Sequence, residues 1–195
     1  MDGRRKRVLI PVLLLLLPLW GCATAGGGRV NFLDPNMDFA TVRNVAVMPF
    51  VNLSRDTNAA DRVRDVFMTM LQATGGVYVI PAGEVVRGIS RTGMSSPLAP
   101  APEEVIRFAK IVEADALITG TVREYGDVRS GTTSANLVSV SLQMMEGQTG
   151  RVVWSASTTQ GGVTTMDRLF GGGGEPMNPV TQKAVNDLLD KLFGK

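Results

Sequence analysis

Apolar positions along residues 43–195 repeat with two periods, and each period predicts its own kind of element. Val45, Ala46, Val47 and Met48 form a short apolar run closed by Pro49 and Phe50, the pattern of a buried strand. Beyond it, Val63, Val66, Phe67, Met70 and Leu71 recur at helical spacing. They predict a helix with Asn58 as its cap, Gly75-Gly76 at its stop, and Asp61, Arg62, Arg64 and Asp65 on its outer face. Val77, Tyr78, Val79 and Ile80 give a second strand, and strand, helix and strand together have the length of a parallel βαβ crossover.

Residues 84–89 predict a short helix, and residues 90–102, with Pro97, Pro100 and Pro102, a loop. Pro102 suits the first position of a helix striped by Val105, Phe108, Ala109 and Val112. Residues 116–125 read as a strand. Two alternating runs follow, one through Val138, Val140, Leu142 and Met144, the other through Val152, Trp154 and Ala156, joined by a hairpin loop over residues 146–150. Residues 126–135 and 161–177 show no such period and are expected to be loops. A last helix, starting at Asn178-Pro179, buries Ala184, Val185, Leu188, Leu189 and Leu192. This order of elements argues for an α/β fold, a mixed β-sheet with flanking helices, over residues 42–195.

The first 41 residues follow a different pattern. Arg4, Arg5, Lys6 and Arg7 precede an uncharged apolar stretch over residues 8–20, too short for the ~20 residues of a membrane-spanning helix. Residues 1–21 are therefore expected to be a cleaved export signal; an uncut signal anchor is the alternative. The stretch ends in Leu19-Trp20-Gly21-Cys22, which resembles the lipobox of bacterial lipoproteins, although Trp20 departs from the small or branched residue usual there. That resemblance implies cleavage between Gly21 and Cys22 and acylation of Cys22. Ala23 in the next position implies sorting to the outer membrane, facing the periplasm. Residues 22–41 are expected to form a lipidated tether and an irregular lead-in.

Composition narrows the chemistry. The 195 residues include no histidine and one cysteine, which excludes Ser-His-Asp and Cys-His nucleophilic sites, an internal disulfide and an ordinary zinc site. The full chain carries a formal net charge of +2; loss of residues 1–21 leaves 16 basic and 17 acidic side chains, a net of −1. No basic block remains to attract nucleic acid.

Three segments of the mature chain resemble the CsgG-type lipoproteins, the family of the curli secretion channel, with the related LpoB activators of peptidoglycan synthases and the TolB N-terminal domain. They are residues 45–50 followed by Asn52, Ala114-Asp115-Ala116-Leu117-Ile118-Thr119-Gly120, and Val138-Ser139-Val140-Ser141-Leu142 leading to Thr149-Gly150-Arg151-Val152-Val153-Trp154. The resemblance covers residues 40–195 and implies an anticodon-binding-domain-like fold and a role in envelope assembly without catalysis. The curli channel inserts two membrane hairpins per subunit. Residues 126–135 and 161–177 stand at the corresponding places, and neither shows the outward apolar alternation over ~9–11 residues that a spanning strand needs.

Candidate chemistry is sparse. Asp61 and Asp65 sit one helical turn apart but are interleaved with Arg62 and Arg64, as on a solvated, self-neutralising surface. Glu103 and Glu104 at a helix start suit the helix dipole. The Gly171-Gly172-Gly173-Gly174 run lacks the Lys-Ser/Thr ending of a phosphate loop. The remaining candidate is recognition: in the loop from Thr164 to Pro176, Met166, Arg168, Leu169 and Phe170 precede the glycine run and could anchor a partner. The expectation is a non-catalytic, lipid-anchored outer-membrane protein that binds an envelope protein, with no cofactor beyond the covalent lipid and no small-molecule substrate. An oligomeric secretion component and an LpoB-like activator are the alternatives; a carboxylate-based hydrolase is the least favoured reading.

Overall fold

The computed structural model describes residues 31–131, 133–163 and 174–194. Among them, β2 (Asn44–Val47) and β4 (Tyr78–Val79) run parallel, Val45 opposite Val79, and α1 (Ala59–Ala73) crosses between them as the βαβ spacing requires. β5 (Ala116–Ser130) lies parallel on the other side of β2 and extends past its end to pair with β3 (Val51–Asn52). β5, β6 (Thr133–Glu146) and β7 (Val152–Gly161) then form an antiparallel meander. With the edge strand β1 (Asn31–Leu33), the described strands make one mixed sheet in the order β1-β7-β6-β5-β2-β4, with β3 beside β5.

Strand alternation divides the core in two. Val45, Val47, Ala116, Ile118, Val140, Leu142 and Trp154 face α1 and α4 (Met177–Phe193), which contribute Val63, Phe67, Leu71, Ala184, Val185, Leu188 and Leu189. Ala46, Met48, Leu117 and Met145 face the other way, onto Val85 of α2 (Ala82–Thr92) and Val105 and Phe108 of α3 (Pro102–Val112). α2 and α3 cross at Gly88, where a Cβ would stand 2.4 Å from Val112 Cγ1 and 2.8 Å from Phe108 Cε2.

Several boundaries differ from the sequence reading. Residues 31–33, expected to be irregular, form β1 (Asn31–Leu33), an edge strand antiparallel to β7. Residues 126–135 are mostly strand rather than loop: β5 and β6 stay paired out to Ser130 and Thr133, and Gly131 enters the tight turn at φ 66°. α2 spans Ala82–Thr92, longer than the residues 84–89 expected. Asn58 occupies the cap position of α1, yet its side chain makes no capping bond; its backbone N–H donates to Asp56 Oδ1 instead, at 2.9 Å. α4 begins at Met177, so Asn178 lies inside it, and Pro179 falls in the first turn, where its missing N–H has no intrahelical role.

Candidate interaction surface

The β5–β6 hairpin outgrows its neighbours. β5 has a partner on its outer side only as far as Val122, and β6 is paired with β7 only from Leu137 onward. Between those limits and the turn the two strands run on as a ribbon, with Asp127 opposite Asn136, Val128 opposite Ala135 and Arg129 opposite Ser134. A register shift between Val122 and Glu124 marks where the ribbon leaves the sheet. A two-stranded ribbon is marginal by itself, and its outward backbone groups are a template for strand addition. Its Arg129–Asp127 ion pair, 3.6 Å with both side chains substantially exposed, adds little stability.

The ribbon base also holds both ends of the candidate recognition loop. Gly162 N–H donates to Asn136 O at 2.8 Å, and Asn136 Nδ2 donates to Glu175 O at 2.8 Å. A Cβ on Gly161 would meet Asn136 O at 2.1 Å, and one on Gly174 would meet Ala135 Cα at 2.5 Å. Met166, Arg168, Leu169 and Phe170 lie outside the described residues, as do Gly21 and Cys22; the residues bracketing the loop converge on Asn136.

Beside the ribbon runs an open groove of about 460 Å³, lined by Leu53, Arg55, Arg123, Tyr125, Val128 and Leu137 among others. Asn52 organises its rim. The Asn52 amide donates to Asp56 O at 2.8 Å and accepts from Ser54 N–H at 3.0 Å and Ser54 Oγ at 2.8 Å, which leaves Leu53 65% exposed. The groove thus combines an exposed aliphatic group, arginines and unpaired strand edges, features that suit a protein surface.

The charged residues singled out from sequence play structural parts. Asp61 and Asp65 are exposed on α1. Arg64 departs from the expected surface role: half-buried, it donates through Nη2 to Val47 O at 2.6 Å and through Nε to Met48 O at 3.0 Å, just before Pro49. Burial lowers its pKa, and the charges of Asp61 and Asp65 oppose that shift. Glu104 does more than meet a helix dipole. It accepts from Ser95 N–H and Ser95 Oγ at 2.8 Å and from Ala101 N–H at 2.9 Å, fastening the 93–101 loop to α3. The backbone N–H of Ser95, then that of Ala101, hold its carboxyl below the ordinary range. Asp115, within one of the segments quoted for the resemblance, accepts from Arg43 and Asn44 N–H, both at 2.8 Å, and ties the start of β2 to β5. Among the described residues no group of three or more Cys, His, Asp or Glu side chains is placed to hold a metal ion, and no helix is long and apolar enough to cross a membrane.

A mixed sheet with helices on both faces and a protruding β5–β6 ribbon defines the fold class. Residues 37–193 match the GNA1162-like lipoprotein family, and the chain belongs to that family. The resemblance to CsgG-type lipoproteins fits this kind of protein but does not supply the family's name. Among solved structures, a dodecamer of a PelC variant from Paraburkholderia phytofirmans is similar at 19% identity and a TM-score of 0.58, over 85% of this chain and 96% of that one. Lipoprotein GNA1162 from Neisseria meningitidis is similar at 19% identity and a TM-score of 0.56, over 78% of this chain and 99% of that one. The hypothetical protein CT253 from Chlamydia trachomatis follows at 12% identity and a TM-score of 0.51, over 78% and 96%. At these identities the likeness is one of fold. No curated protein matches the sequence.

Proposed function

We propose that this protein is an envelope lipoprotein, acylated at Cys22 and held at the outer membrane facing the periplasm, that works by protein contact and without catalysis. One observation carries the reading: the open-edged β5–β6 ribbon and the residues that flank positions 164–173, Gly162 and Glu175, meet at Asn136. Unpaired strand edges bind by adding a strand, and an apolar or aromatic anchor in the adjoining loop would supply specificity. Leu169 and Phe170 are the proposed anchors, with Met166 and Arg168 beside them.

A second reading, that the partner is another copy of this chain, is favoured by the PelC neighbour, whose structure is a dodecamer of the same fold. A photo-reactive amino acid at Arg129, whose side chain is 82% exposed on the ribbon, tests both readings in intact cells. The same probe at Glu84 on α2 is the control. Strong adducts from Arg129 and few from Glu84 are expected. A ladder at multiples of the chain's own mass identifies a second copy, and an adduct of another mass identifies a different envelope protein. Equal yields at the two positions would remove the ribbon from the account.

A further inference from the structure

We propose that the β1 edge of the sheet is the face this protein lays against the bilayer, with Phe32 and Leu33 among the lipid headgroups and the Arg151 guanidinium on lipid phosphate. The proposal rests on the reading of Cys22 as the acylated residue and adds an orientation to it. Phe32 and Leu33 are 47% and 49% exposed on an edge strand, where consecutive side chains point to opposite faces. The rim of the sheet therefore presents apolar groups on both sides.

The chain's own length places that rim. Eight residues join Cys22 to Asn31, so the two positions stand at most ~30 Å apart even with the lead fully extended. The other described edge of the sheet is β4, where Tyr78 is 58% exposed, five strand spacings away in the sheet order. At ~4.8 Å per spacing it stands about 24 Å further off. A random-coil lead of eight residues has a root-mean-square span of ~15 Å, shorter than that separation, so the anchor favours β1 as the edge beside the membrane.

Charge at the rim agrees. Asp34, the carboxylate that follows Leu33, is buried and accepts from Arg151 Nη2 at 3.0 Å. The Arg151 side chain remains 66% exposed beside β1, so the rest of its guanidinium fork is open to a second acceptor. Two apolar side chains beside an exposed guanidinium suit a phospholipid headgroup layer.

The test uses the full chain, processed in cells and reconstituted in phosphatidylcholine–phosphatidylglycerol vesicles with or without brominated acyl chains. A Phe32→Trp variant places a reporter at the rim, and Tyr78→Trp places one at the far edge. After signal cleavage the chain's own tryptophan is Trp154, which is fully buried. The Phe32→Trp protein should lose much of its added emission in brominated vesicles and shift to the blue, while the Tyr78→Trp protein responds to neither. Equal quenching of both, or flotation with the vesicles and no quenching of Phe32→Trp, overturns the orientation. A blue shift without quenching assigns the rim to a second copy and equally overturns it. Protein that neither floats nor carries acyl mass overturns the reading of Cys22, and the orientation with it.

Discussion

At the scale of single residues, the polar side chains that matter most here satisfy the backbone. Arg64, Glu104, Asp115 and Asn52 each bond main-chain groups that a strand end, loop or turn would otherwise leave unpaired. Glu104 gives a pH-dependent consequence. Its pKa is lowered in the folded chain, so its contribution is complete above the ordinary carboxyl value of 4.5 and is lost as pH falls through the folded value. Glu104→Gln should therefore melt below the native chain at pH 7, and the gap should close in acid. Melting temperatures measured across that range check this; a gap independent of pH would show that the carboxylate charge has no part. Arg64→Met should destabilise by about 1–2 kcal/mol in denaturant unfolding, because it strands two carbonyls at the end of β2. No change would mean that water replaces the guanidinium there. Both roles were hidden in the sequence, where Arg64 reads as one of four mutually neutralising surface charges and Glu104 as a helix-dipole acid. Their partners are backbone atoms, which leave no pattern.

At the scale of elements, burial separates what was legible from what was not. The helices α1, α3 and α4 and the meander of β6 and β7 press one side onto the core, and their periods in the sequence record it. Leu188, 1% exposed on α4, is the sharpest case. Leu188→Asp should cost about 3–4 kcal/mol in denaturant unfolding, since the carboxylate has no partner in that layer. An unchanged midpoint would detach α4 from the sheet. The ribbon was illegible for the opposite reason. Most of residues 126–135 face no core, so selection for alternation is absent, and only continued pairing with its neighbour makes each strand a strand. β1 is three residues long and exposed throughout, and it too leaves no periodic signal. The ribbon also offers a separation of roles. Replacing residues 128–135 by Asn-Gly keeps Asp127 opposite Asn136 and closes the hairpin with a favoured two-residue turn. The shortened protein should melt within a few degrees of the native one yet lose the crosslinked adducts of the full-length chain, read from a probe at Arg55 in the adjoining groove. Adducts that persist would place recognition elsewhere.

At the scale of the whole molecule, the proposed function joins a short lipid-bearing lead, a sheet edge and a projecting ribbon into an adaptor that a membrane would hold and a partner would read. Fold and family are secured by the sheet order and the match over residues 37–193. The proposed anchor is what would turn that fold into an envelope protein, and its basis in the sequence is the lone cysteine behind the expected export signal. Ordering the protein on a surface also favours contacts too weak to hold in solution, because attachment raises the local concentration of both partners. The anchor is tested most directly by the intact mass of the mature protein recovered from membranes, beside a Cys22→Ser variant. The account predicts a chain of residues 22–195 carrying three acyl chains, and a variant that is folded but neither acylated nor cut before position 22. A native mass that includes residues 1–21, or that carries no lipid, would contradict it.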